Sequence, residues 1–434
     1  MLRKPLALLV IAALVLLAGC SGSTTKSADS GGSAPKAEAP KTEAPKEPEK
    51  VTITYWHTYN TDSNENKTLN EVVIPAFQKK YPHITVKSVV QPYDGLHDSL
   101  ITAAASGTAP DLFRMDIVWT PEFAKLGALE ALDGYEGFAA LKDSVFPGPL
   151  ATNAYKGKYY GLPLNTNTQV MVYNPDFLKE AGLSAPPKTI DEFKQYLNAF
   201  KGKDEKYGLA LGGTYPWQML PFFWSLGGQI TSPDYTKASG FVNSAASVEA
   251  LQTLSDLHKA GALAPSMLGG QPSSWDGYKA GKYGAVLEGP WFFAIMQNEL
   301  KGKLQGAPLP AGKGGSLSVV GGENIVMFKS SKNKDAAWKF IQFSLSDEAQ
   351  TAMAKTGQMP VTKSASASPV MKEAGYYEPY IAQLATALPR TPVPTWTKID
   401  KILGDAFESV FREKDTAKSA LDKAAKEIDA LLGQ

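Results

Sequence analysis

VTITYWH at residues 51–57 and ITVKSVV at residues 84–90 are strand-like segments, and PDLF at residues 110–113 leads a third. In the first, Val51, Ile53 and Tyr55 alternate with polar or bulkier residues, a period of two that is typical of a β-strand. Between these three segments, apolar residues recur at the spacing of a helix. The order strand, helix, strand therefore predicts parallel strands joined by right-handed crossovers.

The intervening helices are predicted from Leu69 to Phe77, where Pro75 favours a kink, and from Ser99 to Ala105. A second series of the same kind follows. Its predicted strands are 170–173, 207–211, 283–287 and 318–328, and its predicted helices are 190–200, 247–260, 338–345 and 417–431. A chain of 434 residues exceeds what one hydrophobic core usually organises, so two lobes are expected.

The N-terminus predicts a signal peptide over residues 1–19. Arg3 and Lys4 precede an apolar run, residues 6–18, that is too short to span a membrane. Leu17-Ala18-Gly19-Cys20 resembles a lipobox, in which the cysteine is acylated and becomes the first residue of the mature chain. The alternative is an ordinary signal peptide followed by a chance cysteine.

Residues 20–50 predict a lipidated cysteine and a disordered tether, since serine and glycine give way to alternating proline, alanine, lysine and glutamate. The protein is therefore expected outside the cytoplasm, anchored to the cell membrane as a lipoprotein. No other contact with a membrane is expected.

The composition argues against several function classes. A net charge of +1 provides no electrostatic basis for binding nucleic acid, and a single cysteine cannot form an internal disulfide. The four histidines are scattered, and the motifs of zinc proteases, serine hydrolases and phosphate loops are missing from the sequence. The sequence thus predicts neither a metal site nor a cofactor, and it requires no catalytic step. The sequence neither supports nor excludes the pair of catalytic carboxylates that a glycosidase needs.

Several segments, taken in order, resemble the family 1 extracellular solute-binding proteins, the receptors of ABC importers that include maltose-binding protein. The most distinctive is Tyr278–Lys282 running into Gly289-Pro290-Trp291. The others are ITYWH at 53–57, GTAPDL at 107–112, FAKLGAL at 123–129, YKGKYYGLP at 155–163, VYN at 172–174, PPKTIDEF at 186–193, LP at 309–310 with GG at 321–322, and GQMPV at 357–361.

This resemblance implies an α/β, two-lobe periplasmic-binding-protein type II fold with the ligand cleft between discontinuous lobes. The N-terminal lobe is expected to comprise residues 51–164 with 324–368, and the C-terminal lobe residues 165–323 with 369–434. In open α/β sheets, ligands bind beyond the carboxyl ends of the strands. Hinge closure of the lobes would bury the ligand.

The resemblance implies that three tryptophans are candidate stacking faces for a sugar. Trp291 follows the break at Gly289-Pro290, and Trp396 precedes a predicted helix at 398–407. Trp217 lies in a proline-flanked loop. Each has a structural alternative, because a tryptophan can also pack against the core of its own lobe.

Polar residues at strand ends and crossings would orient the ligand. For Asp116 the alternative is a helix cap, and for Glu323 a role at the hinge. The candidate ligand-binding set, beyond the three tryptophans, is Trp56, His57, Asn60, Asp62, Asp116, Asn167, Gly322 and Glu323.

The sequence therefore predicts a monomeric receptor that captures a carbohydrate, expected to be an oligosaccharide, and delivers it to the permease of an ABC transporter. An alternative ligand is a glycerol phosphodiester or another small polar solute, which a cluster of basic residues in the cleft would favour. An alternative from another class is a carbohydrate-active enzyme at the cell surface.

Overall fold

The computed structural model describes residues 49–203 and 205–433 of the chain. The predicted signal peptide, Cys20 and the predicted tether up to Pro48 lie outside the described residues, so all three stay predictions. Over the described residues, no helix combines the length and the apolar character that crossing a membrane requires.

Helices and strands alternate along the described part of the chain. The strands are β1 (Val51–His57), β2 (Ile84–Val90), β3 (Leu112–Asp116), β4 (Ala154–Tyr155), β5 (Lys158–Tyr159), β6 (Gly161–Thr168), β7 (Val170–Tyr173), β8 (Ala285–Glu288), β9 (Gln305–Ala307), β10 (Ser318–Met327) and β11 (Ala387–Leu388). The helices are α1 (Asn64–Thr68), α2 (Ile74–Lys80), α3 (Leu96–Ser106), α4 (Thr120–Lys125), α5 (Phe138–Ser144), α6 (Pro147–Ala151), α7 (Pro175–Glu180), α8 (Ile190–Asn198), α9 (Pro216–Ser225), α10 (Ala245–Lys259), α11 (Ser274–Lys279), α12 (Pro290–Met296), α13 (Lys334–Ser344), α14 (Asp347–Ala354), α15 (Lys363–Ser366), α16 (Pro369–Glu373), α17 (Glu378–Leu384), α18 (Trp396–Phe411) and α19 (Ala417–Leu432).

The larger sheet has the strand order β11-β10-β3-β1-β2, and β6 also pairs with β10. The parallel arrangement predicted from residues 51–113 is confirmed, because β1 pairs in parallel with both β2 and β3. β10 runs antiparallel to both β3 and β6. The carboxyl ends of β1, β2 and β3 consequently meet at one edge of this sheet.

The predicted kink at Pro75 takes the form of a change of helix type. Leu69–Val73 is a π-helical turn, and α2 begins after it at Ile74. Pro75 lies inside this continuous helical segment, two residues after the π-helical turn, so its missing N–H coincides with the change of helix type.

The smaller sheet corrects the prediction of a second parallel series. β7 pairs antiparallel with both β8 and β9. β7 continues β6 with only Gln169 between them, so its direction is set by the crossing strand. The strand predicted at 207–211 is reduced to isolated bridges, such as Ala210 with Val286, and these bridges are parallel, as the predicted series implied.

Buried side chains form two groups of clusters that β6 and β10 connect. One group surrounds the larger sheet and draws on residues 53–162 and 325–361. The other surrounds the smaller sheet and includes Val319 of β10, whereas Ile325 of the same strand packs in the first group. Ala354 and Met359 pack with the second group, although the predicted boundaries assign them to the first lobe.

Candidate functional site

Trp217 and Trp291 form a pair of stacked rings beside the crossing strand β10. Their ring centroids are 6.5 Å apart, with 25° between the planes, and both side chains are half-buried. Gly321 lies directly against Trp217, since a Cβ at residue 321 would come within 2.4 Å of the ring carbon Cη2. The absence of a side chain at Gly321 therefore lets this aromatic surface sit against the crossing.

The Gly-Pro-Trp motif places the ring of Trp291 in a defined way. A Cβ at Gly289 would lie 2.2 Å from ring carbons of Trp291, so only glycine lets the indole fold back over the preceding chain. Pro290 begins α12, and Trp291 follows in its first turn. The indole is thereby directed back toward the end of β8.

The carboxylate that meets this indole belongs to Glu288, a residue missing from the predicted site. Trp291 Nε1 donates to Glu288 Oε2 at 3.2 Å, and Trp275 Nε1 donates to Glu288 Oε1 at 2.7 Å. Burial raises the pKa of Glu288 to about 7, although its hydrogen bonds oppose the rise. Its position at the end of a strand is the same signal that selected Asp116.

Asp116 lies at the end of β3 and forms an ion pair with Arg390, 2.8 Å from Arg390 Nη2 to Asp116 Oδ1. Tyr93 donates from its hydroxyl to Asp116 Oδ2 at 3.1 Å. The guanidinium of Arg390 also lies over the ring of Trp217, 5.3 Å from the centroid. Asp116 is thus connected to the tryptophan pair through one arginine.

The helix-cap alternative for Asp116 is wrong, because the N-cap residue of α4 is Trp119 and α4 has no side-chain capping bond. Asp116 Oδ1 instead accepts the backbone N–H of Val118 at 3.1 Å, within the turn that follows β3. The same carboxylate therefore orders the turn after β3 and holds Arg390. The sequence analysis did not select Arg390 or Tyr93. Arg390 is 274 residues from its partner Asp116 along the chain, and Tyr93 is 23 residues from it.

Glu323 lies on β10 within a buried polar cluster. Arg114 Nη2 is 2.6 Å from Glu323 Oε2, and Asn165 Nδ2 donates to the same oxygen at 2.6 Å. Arg114 also donates to Thr58 Oγ1 at 2.9 Å and lies 4.3 Å over the ring of Tyr59. This cluster joins β3, β6 and β10, which favours the predicted hinge role of Glu323.

Asn167 and Gly322 lie where β6 and β10 cross between the two cores. Gly322 has φ +131°, and a Cβ there would lie 2.4 Å from the carbonyl oxygen of Asn165. The Asn167 side-chain oxygen is buried and accepts no hydrogen bond from the described residues. It also lies against Gly321, so Asn167 and Trp217 share one surface of β10.

His57 differs from its predicted role. It is fully buried, its Nε2 lies 2.8 Å from Ser88 Oγ, and its Nδ1 accepts the backbone N–H of Tyr59 at 3.3 Å. Burial, and secondarily the charge of Arg114, lower its pKa to about 4. His57 is thus a neutral core residue whose ring nitrogens are both occupied within its own lobe.

Trp396 also differs, because its side chain is 1% exposed and packs in the core around the smaller sheet. Its ring offers no face to a ligand. Trp56 is half-buried and packs beside Phe113, while Asn60 and Asp62 are exposed in the loop that follows β1. The structure therefore brings together Asp116, Asn167, Trp217, Trp291 and Gly322, with Glu323 in the neighbouring cluster.

Two exposed aromatics extend the candidate surface. Tyr93 is 55% exposed and stacks on Trp119, with ring centroids 5.5 Å apart. Tyr215 is 46% exposed and immediately precedes α9, the helix that carries Trp217. Tyr93 follows the carboxyl end of β2, so the strand-end rule could have selected it from the sequence.

The charged side chains around the tryptophan pair are mostly paired with one another. Arg114 and Arg390 are both buried and both paired with a carboxylate. Within residues 49–203 and 205–433, no group of three or more histidine, cysteine, aspartate or glutamate side chains is arranged to hold a metal ion. The arrangement can orient a neutral polar ligand and present aromatic faces to it.

The sequence and the fold are both similar to those of known binding proteins. A family model described as bacterial extracellular solute-binding protein matches residues 60–351, about two thirds of the chain. The arabinooligosaccharide-binding protein of Bacillus subtilis is 27% identical over 406 residues, which cover 87% of this chain and 92% of that protein. The sn-glycerol-3-phosphate-binding periplasmic protein of Pectobacterium atrosepticum is 27% identical over 425 residues, with 88% and 91% covered.

Among solved structures, the GacH receptor of Streptomyces glaucescens, determined without ligand and in complex with acarbose, matches with a TM-score of 0.80 and 25% identity. The match covers 89% of this chain and 99% of the receptor. The predicted two-lobe α/β fold is confirmed, and the chain is a binding protein rather than an enzyme. It belongs to the bacterial extracellular solute-binding protein family.

Proposed function

We propose that this protein is a lipid-anchored, monomeric receptor that binds an oligosaccharide between its two lobes and delivers it to an ABC permease. The observation that carries the proposal is the stacked pair Trp217 and Trp291 beside the polar groups of the crossing strands. Aromatic faces suit the apolar faces of sugar rings, and the partly exposed carboxylate of Asp116 is a hydrogen-bond acceptor beside them. Relatives that bind an arabinooligosaccharide and acarbose support the same ligand class.

A phosphorylated ligand is the second candidate, because one relative binds sn-glycerol 3-phosphate. A phosphate would need cationic partners that are free to bind it. The two arginines of the site are instead occupied by Glu323 and Asp116. The internal pairing of these charges favours a neutral ligand.

A thermal-denaturation screen separates the two candidates. The panel contains arabinose, arabinotriose, maltose, maltotriose, acarbose, glycerol 3-phosphate and glycerophosphocholine. We expect an oligosaccharide to stabilise the protein, by about 2.7 kcal/mol when its concentration is about 100 times the dissociation constant. Stabilisation by the phosphate compounds alone would overturn the carbohydrate assignment, and silence across a broad saccharide panel would also contradict it.

The anchor has a separate test. We expect Cys20→Ala to release the protein into the medium and to abolish labelling with palmitate, because the acylated thiol is lost. Ser23→Ala is the matched control, since it alters the predicted tether and leaves the cysteine in place. Ligand binding should be the same in both variants, because binding residues lie in the folded lobes. A Cys20→Ala protein that stays with the cells would contradict the anchor.

A further inference from the structure

Glu288 is a buried carboxylate shared by two tryptophans on different helices. Glu288 is the last residue of β8. Trp275 is the second residue of α11, and Trp291 is the second residue of α12. Each carboxylate oxygen accepts one indole N–H, at 2.7 Å from Trp275 and 3.2 Å from Trp291. The residue as a whole is only 8% exposed.

The surroundings hold this arrangement rigidly. Tyr380 of α17 donates from its hydroxyl to the backbone carbonyl of Glu288 at 3.2 Å. Trp275 meets Phe292 edge-on, with ring centroids 5.1 Å apart. Trp291 in turn stacks with Trp217, so the orientation of the whole aromatic pair depends on the indole that Glu288 holds.

We infer that Glu288 is the positioning residue of the aromatic surface: its single carboxylate fixes the rings of Trp275 and Trp291, and neutralising it releases at least one of them. This inference rests on the proposed carbohydrate-binding function only for its effect on affinity. Glu288 acts through the tryptophans, since both of its carboxylate oxygens accept their indole N–H groups and the residue is 8% exposed.

A carboxylate is required here because both of its oxygens are acceptors. A glutamine offers one acceptor oxygen, and its NH2 group would face the N–H of the second indole. A protonated carboxyl keeps acceptor lone pairs but loses its negative charge and gains an O–H donor, so it accepts the two indole N–H groups more weakly. Glutamine removes the hydrogen bond of one half-buried indole, and protonation weakens it.

Burial makes this carboxylate sensitive to pH. It raises the pKa of Glu288 to about 7, against the hydrogen bonds from Trp275, Trp291 and the backbone N–H of Gly289. Glu288 also faces the phenols of Tyr215 and Tyr380, whose pKa values lie above the ordinary value of a phenol. These phenols stay neutral near pH 7, so the titration there belongs to Glu288.

The first experiment observes the rings directly. The protein is labelled with 5-fluorotryptophan, and its ¹⁹F resonances are followed from pH 5 to pH 9, with assignment by Trp275→Phe and Trp291→Phe. We expect both assigned resonances to move with a common midpoint near pH 7 in the wild type. Glu288→Gln should abolish that titration, whereas the exposed control Glu299→Gln should keep it. If the chemical shifts of Trp275 and Trp291 change neither with pH nor in Glu288→Gln, the inference is overturned.

The second experiment measures affinity for the saccharide that gives the largest shift in the thermal screen. At pH 8, Glu288→Gln should bind it at least fivefold more weakly than the wild type or Glu299→Gln. Wild-type affinity should fall between pH 8 and pH 6, while that of Glu288→Gln stays flat. Equal affinities in a protein whose resonances titrate would overturn the positioning role. If no saccharide stabilises the protein but the ¹⁹F resonances still titrate, the proposed function is refuted. The role of Glu288 in holding the tryptophans is then still supported.

Discussion

Replacing Trp291 with alanine is expected to weaken oligosaccharide binding by about 2 kcal/mol, roughly 30-fold. The change removes the half-buried indole face and the partner that stacks on Trp217. Isothermal titration calorimetry with the saccharide chosen by the thermal screen measures the loss. Because the ring is only half-buried, the free energy of unfolding should change less than the binding free energy.

Two conservative variants sharpen this test. Trp291→Phe keeps an aromatic face but loses the N–H donated to Glu288, so its affinity should lie between those of the wild type and Trp291→Ala. Trp338→Phe alters a buried tryptophan in the core around the larger sheet, and its affinity should equal that of the wild type. A Trp291→Ala protein that binds as tightly as the wild type would remove Trp291 from the site.

Arg114→Met is expected to lower the free energy of unfolding by about 3–5 kcal/mol, because it removes the buried cation that pairs with Glu323, whose side chain is only 20% exposed. Glu323 would keep only its hydrogen bond from Asn165, and the bond to Thr58 would also be lost. Urea denaturation monitored by circular dichroism measures the difference. The exposed pair of Arg412 and Glu408 gives the control, and Arg412→Met should cost no more than about 1 kcal/mol.

The pH dependence of Arg114→Met identifies the cause of the loss. Burial raises the pKa of Glu323, and the charge of Arg114 opposes that rise. Without Arg114 the pKa should rise further, so the folded state would bind more protons than the unfolded state above the ordinary carboxyl range. Stability then falls as pH rises, and the deficit should be smaller at pH 5 than at pH 8. A deficit that is independent of pH would instead indicate lost packing.

Local patterns predicted several strands and helices of the fold, whereas the family resemblance supplied Trp217 and Trp291 as candidates. The alternation in VTITYWH and the stripe of α19 determine their own secondary structure, and Gly289-Pro290-Trp291 constrains its ring through the glycine. The direction of β7 was not predictable in this way. It depends on the crossing that feeds the strand, which no local period records.

The misplaced residues have an equally physical explanation. Trp396 continues the apolar stripe of α18 through Ile399, Leu403 and Phe407, so its helical spacing already indicated burial. His57 satisfies the strand-end rule, but Tyr59 and Ser88 occupy its nitrogens from a loop and a neighbouring strand.

The polar half of the site was the least predictable. Arg390 meets Asp116 across most of the chain, and tertiary packing alone brings them together. Glu288 meets the same positional criterion as Asp116, and attention to the strand end before the Gly-Pro break could have found it.

The pairing of β10 with β3 also constrains how the polypeptide is made. Glu323 lies opposite Asp116, so the ribosome must synthesise the intervening lobe before the first sheet can receive its central partner. Ordering a contact between segments so far apart in sequence is slow. Until β10 has been synthesised, the N-terminal core therefore lacks the side chains of Ile325 and Met327. The first lobe can be completed only once the second lobe has largely been made, so the two lobes are coupled in the order of their synthesis as well as in their structure.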